Sequence, residues 1–246
     1  LVEGFEGTLF PPAGWTVYNL GGSNQWFRGS AEPNSGSYHA QINWNTVAHD
    51  DWLISPKIAP TADNYIYSFY GQSYSDYDER FNVLVSTTDN EIASFTNVIA
   101  TDVQTGANSY MLHNFDLQDF IGQEIYVAIQ AISADQFRLF IDDVSGPDLV
   151  PVELTIVSAP YELAIYKDGV DTGEVTPHTF IGRPDALYGV YHVELAGYEF
   201  TPENYLFTGV ADAVAEFNGY QIPDIEAGTD HDIAPGIVLN SSADLF

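Results

Sequence analysis

Short runs of residues that alternate with a period of two dominate this chain, and they constrain its fold more than any other feature. Tyr65, Tyr67 and Phe69 alternate with Ile66, Ser68 and Tyr70, and Phe81, Val83 and Val85 alternate with Asn82, Leu84 and Ser86. Ile125, Val127, Ile129 and Ala131 alternate with Tyr126, Ala128, Gln130 and Ile132. Phe137, Leu139 and Ile141 alternate with Gln136, Arg138 and Phe140. Successive side chains of a strand point to opposite faces, so short aromatic and β-branched runs bounded by polar or Gly/Pro clusters read as strands. No stretch carries a convincing amphipathic helix, although 115–121 has room for one helical turn. The expected class is all-β, a sandwich or jelly roll.

Two domains suit a chain of 246 residues. A boundary falls at Gly146-Pro147-Asp148-Leu149-Val150-Pro151, where two prolines and a glycine suit a short, stiff connector. The strand pattern then restarts at 152–157, 161–166, 190–195, 205–208 and 213–217. These signals divide the chain into residues 1–146, 152–220 and a tail at 221–246. The tail holds five acids, no base and one apolar run, Gly236, Ile237, Val238 and Leu239. That run is expected to form a strand able to complete a neighbouring copy's sheet. The chain opens on Leu1 and reads as a processed product or a piece of a longer protein.

Charge removes several function classes. The chain carries 35 Asp and Glu against 6 Lys and Arg, for a net charge of −29, and the excess is spread over both halves. Such a surface repels phosphate, which argues against nucleic acid and anionic membranes as partners. The absence of cysteine excludes disulfides, thiol catalysis and Cys-ligated metals. No apolar run reaches the roughly 18 residues of a membrane helix. Two readings of the acidity remain, solvation and a reservoir of hard-cation ligands.

The opening Glu3-Gly4-Phe5-Glu6-Gly7 with Pro11-Pro12-Ala13-Gly14-Trp15 resembles the start of a cleaved-adhesin domain, a MAM-like jelly roll of bacterial surface proteins. The resemblance continues at Asp50-Asp51-Trp52-Leu53-Ile54-Ser55-Pro56-Lys57-Ile58 and through 78–88, and it ends at Phe137-Arg138-Leu139-Phe140-Ile141-Asp142-Asp143-Val144. It implies a secreted or cell-surface jelly roll that binds calcium and serves adhesion or ligand binding. In the second block, Ser158-Ala159-Pro160, Ile165-Tyr166-Lys167-Asp168-Gly169, Thr176-Pro177 and Gly189-Val190-Tyr191-His192-Val193-Glu194-Leu195 resemble the PEGA family. That resemblance implies a small immunoglobulin- or transthyretin-like spacer. Asp168-Gly169 also reads as a hairpin turn, because glycine accepts positive φ.

Two candidate sites follow. First and last strands of a jelly roll often pair, which would bring Glu6 toward Asp142 or Asp143. A calcium ion takes six to eight oxygens, and Glu3, Glu6, Asp50, Asp51, Asp142 and Asp143 are the carboxylates placed to supply them for a structural Ca2+. The stretch around Tyr74, Asp76 and Tyr77, with Trp26 and with Trp44 and His39 as contributors, suits a sugar: rings stack on pyranose faces and carboxylates take hydroxyls. Trp15 and Trp52 are expected in the core.

Catalytic sets are missing from the sequence. It has no nucleophile elbow, phosphate loop or HExxH, and its six histidines are scattered. Only His49, beside Asp50, and His231, between Asp230 and Asp232, have acidic neighbours. The expected function is a non-enzymatic extracellular adhesion or ligand-binding protein, with a glycan or a cell-surface protein as partner. The alternatives are a self-assembling filament or surface-layer subunit that uses the tail, and a carbohydrate-binding module of a larger secreted protein.

Overall fold

A computed structural model of the chain describes residues 1–222. The tail strand expected at Gly236, Ile237, Val238 and Leu239 lies outside the described residues.

Residues 1–149 form a sandwich of two main sheets. In one, Gly106–Ala107, Ile66–Ser73, Arg138–Ser145, His39–Asn43 and Phe27–Gly29 lie side by side, with Val2–Glu3 paired to Arg138–Ser145 and Met111–Asp116 to Ile66–Ser73. In the other the order is Thr16–Asn19, Asp51–Ile54, Tyr126–Ala131, Arg80–Ser86 and Asn97–Gln104. The alternation explains the core. Phe69, Phe81, Val83, Val127, Ile129, Leu139 and Ile141 face inward and are fully buried, together with Trp15 and Trp26. Trp52 and Ile54 point the other way. They pack with Phe95, Tyr126 and Ala128 in a second cluster. The helical turn expected within 115–121 is a 3₁₀ turn at Gln118–Phe120.

The connector is not a free linker. Asp148–Leu149 pairs with Ile58–Ala59, and Val150 N donates to Lys57 O at 2.9 Å. The Leu1 ammonium donates to Pro147 O at 2.7 Å, tying the chain start to the end of the first sandwich.

Residues 152–221 form two four-stranded sheets. One has the order His178–Gly182, Val152–Ala159, Ala213–Gln221, Tyr198–Thr201, and the other Val170–Val175, Ala164–Lys167, Gly189–Val193, Tyr205–Phe207. Leu154, Ile156, Ile165, Tyr191 and Phe217 fill the space between them. Asp168 (φ 51°) and Gly169 (φ 78°) connect the paired residues Lys167 and Val170, as a two-residue hairpin turn with positive φ at both positions requires. Gly14 N donates to Thr208 O at 3.0 Å, so the two sandwiches touch near the start of the chain.

Candidate ligand-binding cleft and carboxylate cluster

The sheet pairing decides which expected site residues meet. Val2–Glu3 runs antiparallel to the end of Arg138–Ser145, with Glu3 opposite Val144. This brings Glu6, Asp142 and Asp143 around the loop 34–38, with Glu3 near Glu6 and the Glu3 Oε1 accepting from Phe5 N at 2.5 Å. Asp142 Oδ2 accepts from Asn34 N at 2.8 Å, and Asp142 Oδ1 accepts from Asp143 N at 2.7 Å. Asp143 accepts from Ser35 Oγ at 2.7 Å and from Asn34 Nδ2 at 2.6 Å. Glu6 Oε1 accepts from Ser37 N at 2.9 Å and from Tyr38 N at 3.0 Å. Gly36, at φ 62°, lies so close that a Cβ there would collide with the Glu6 carboxylate. The Asp142 side chain is 0% exposed, and burial pushes its carboxyl up to about 6. Burial also raises Glu3. The four acids have no Lys, Arg or His in salt-bridge contact among the described residues.

Asp50 and Asp51 do not join this set. They sit at the start of Asp51–Ile54 in the opposite sheet, and as neighbours on a strand they face opposite ways. Asp50 Oδ1 accepts from Trp52 Nε1 at 2.7 Å and from Gln130 Nε2 at 2.8 Å. Asp51 points inward, where its Oδ2 meets His49 Nδ1 at 2.5 Å. Both carboxylates are thus committed elsewhere. Hard oxygen donors are the chemistry a calcium ion takes, and the four remaining acids are donors of that type. Among the described residues no three His, Asp or Glu side chains are grouped to hold a metal ion.

The aromatic candidates divide in the same way. Trp26 is 2% exposed, and its Nε1 donates to Asp51 O at 3.0 Å, so it is a core residue with no face for a sugar. His39 is also buried; it stacks on Phe140 at 4.4 Å, and burial lowers its pKa. Tyr74, Asp76 and Tyr77 stay at the surface. Tyr77 stacks on Phe137 at 5.5 Å, and Tyr74 packs on the same ring at 5.2 Å. Asp76 lies on the exposed side of this loop, in reach of Asn108 Nδ2 at 3.4 Å.

Beside these rings opens a cleft of about 390 Å³ lined by Asn43, Trp44, Asn45, Phe137 and Arg138, with Ser23, Asn24 and Thr46 at its edge. The ladder places Arg138 opposite Asn43, and Trp44 N donates to Phe137 O at 2.9 Å. The strand ends therefore carry both halves of the cleft. Asn24 Nδ2 donates to Trp44 O at 2.7 Å and fixes the Trp44 backbone, while the indole stays 43% exposed. Asn24, Asn43, Phe137 and Arg138 carry no signal of their own in the sequence. Phe137 and Arg138 read there as strand alternation.

The Cleaved Adhesin Domain family matches residues 1–126, just over half of the chain. The chain belongs to that family. The strands that complete the cleaved adhesin sandwich, through Arg138–Ser145, follow the matched segment. Hemagglutinin A of Porphyromonas gingivalis is 22% identical over 223 residues, and the alignment covers 78% of this chain but 8% of that protein. The cleaved adhesin chain thus spans under a tenth of the length of this curated relative. The K2 cleaved adhesin domain of Lys-gingipain has the same fold, with a TM-score of 0.50, 20% identity, and 60% of this chain and 97% of that one covered. The K1 domain of Lys-gingipain from Porphyromonas gingivalis W83 gives a TM-score of 0.49 at 22% identity, covering 58% of this chain and 95% of that one.

Proposed function

We propose that this cleaved adhesin domain is a non-catalytic glycan-binding unit of a secreted or cell-surface protein, and that the Trp44–Phe137 cleft is its binding site. One observation carries the reading. An exposed indole and a cluster of stacked rings flank a cleft whose remaining lining is mostly amide and hydroxyl side chains. Apolar ring faces beside a few fixed polar groups are the usual make-up of a ligand site, and sugars present that mixture of C–H faces and hydroxyls. The second sandwich serves as a PEGA-like spacer, and the quartet Glu3, Glu6, Asp142 and Asp143 binds a structural calcium ion that offsets their crowded charge. Screening the intact chain on a glycan array, beside its Trp44→Ala variant, tests the binding site. Binding that disappears with Trp44→Ala, in a variant that melts like the parent, supports the cleft. Binding that survives it overturns the cleft.

A further inference from the structure

We propose that the ligand of this cleft carries a carboxylate, as a uronic or sialic acid residue does, and that Arg138 reads it. The inference rests on the glycan-binding reading above and names the class of sugar. In a chain with 35 acids and 6 bases, three cations, Arg28, Lys167 and Arg138, have no acid partner among the described residues, and of these Arg138 alone lines the cleft. The other cations are engaged. Arg80 binds Asp78 at 2.9 Å and Asp102 at 3.0 Å. Lys57 meets Glu124 at 3.5 Å, and Arg183 meets Asp185 at 3.0 Å. Lys167 Nζ donates to Ala186 O at 2.5 Å. Arg28 lies flat over Tyr38 at 3.4 Å, outside the cleft. Arg138 has no carboxylate within ion-pair distance and no side-chain hydrogen bond among the described residues, and it lines the open cleft.

Its guanidinium is nonetheless held. The Cζ sits 4.7 Å from the centre of the Phe137 ring and 5.2 Å from that of Tyr74, a cation–π contact on two rings. A guanidinium so placed presents a planar fork matched to a carboxylate, with less ordering cost than a free lysine. The cleft lining contains no Asp or Glu. Two other clefts differ: one is lined by Glu194, Glu199 and Glu203, the other by Glu124, Glu153 and Asp212 with Lys57. The net negative charge opposes an anionic ligand at long range. At physiological salt that field is screened beyond about 8 Å, so a contact at hydrogen-bond distance is decided by the local Arg138.

The test compares matched pairs on the intact chain by titration calorimetry: oligogalacturonate against its methyl ester, and sialyllactose against lactose. The expected result is at least tenfold tighter binding to the carboxylated member of one pair. Arg138→Gln should erase that preference, so that the carboxylated member binds no tighter than the neutral one, and Arg138→Lys should restore only part of it. Thermal melts of both variants check the fold. Equal affinity within both pairs, or a preference that Arg138→Gln leaves intact, overturns the carboxylate assignment. If neutral binding still depends on Trp44, that result leaves the glycan-binding reading standing. Absence of binding to all four ligands and to a broad glycan array overturns both.

Discussion

His49 Nδ1 lies 2.5 Å from Asp51 Oδ2, with both side chains sealed inside the first sandwich. Among the described residues Asp51 Oδ1 has no hydrogen-bond partner, and His49 is the one side chain there that answers the buried carboxylate. Removing one member of a buried pair strands the other, at a cost of about 3–5 kcal/mol. His49→Leu is expected to destabilise the chain by that order in urea unfolding. Replacing both residues with apolar ones should cost less than the single change.

Glu79, in the loop just before Arg80–Ser86, lies near Ser133, His49 and Asp78, and burial pushes its carboxyl up to about 7. Its folded value lies above its unfolded one, so the folded state holds the proton more tightly. The stability this supplies is full below the ordinary glutamate range and is lost as pH rises through about 7. Thermal melts at fixed ionic strength should therefore show stability falling from pH 5 to pH 8. Glu79→Gln, which cannot ionise, should flatten that slope and melt higher than the parent at pH 8.

The quartet around Asp142 gives a metal prediction. A ligand that binds only the folded state at one hundred times its Kd adds about 2.7 kcal/mol. Calcium should raise the melting temperature over that in EGTA, and the double variant Asp142→Asn with Asp143→Asn should lose the increment. Identical melting in calcium and EGTA would remove the cation from the account.

Gly169, at φ 78°, closes the turn after Lys167 in the second sandwich. A side chain in the left-handed region costs about 1–2 kcal/mol. Gly169→Ala should lower stability by that amount, read in chemical denaturation. Gly169→Asn, a residue tolerated there, should cost less.

The all-β architecture was legible because alternation reports directly which residues face a core. Phe81, Val83 and Val85 needed no other information. The pairing of the first strand with a late one was also legible, and it sets Glu6 and Asp143 on one loop at Ser35 and Ser37, whereas Glu3 turns to Phe5 N. Asp50 and Asp51 misled because adjacency in sequence says nothing about which sheet a pair belongs to, and the two face opposite ways. Trp26 looked like a sugar platform amid polar neighbours, yet the short strand Phe27–Gly29 that follows it lies at the sheet edge and the indole turns inward to Asp51 O. The cleft was the least legible feature. Its lining comes from 23–24, 43–46 and 137–138, three segments that only the Arg138–Asn43 ladder and its flanking loops bring together.

The central claim is that the Trp44–Phe137 cleft binds sugar, and the most direct measurement is a glycan array probed with the parent chain and with Trp44→Ala. The account predicts a defined set of glycans bound by the parent and lost in a variant of unchanged melting temperature. A parent that binds no glycan, or a variant that keeps the parent's profile, would contradict it.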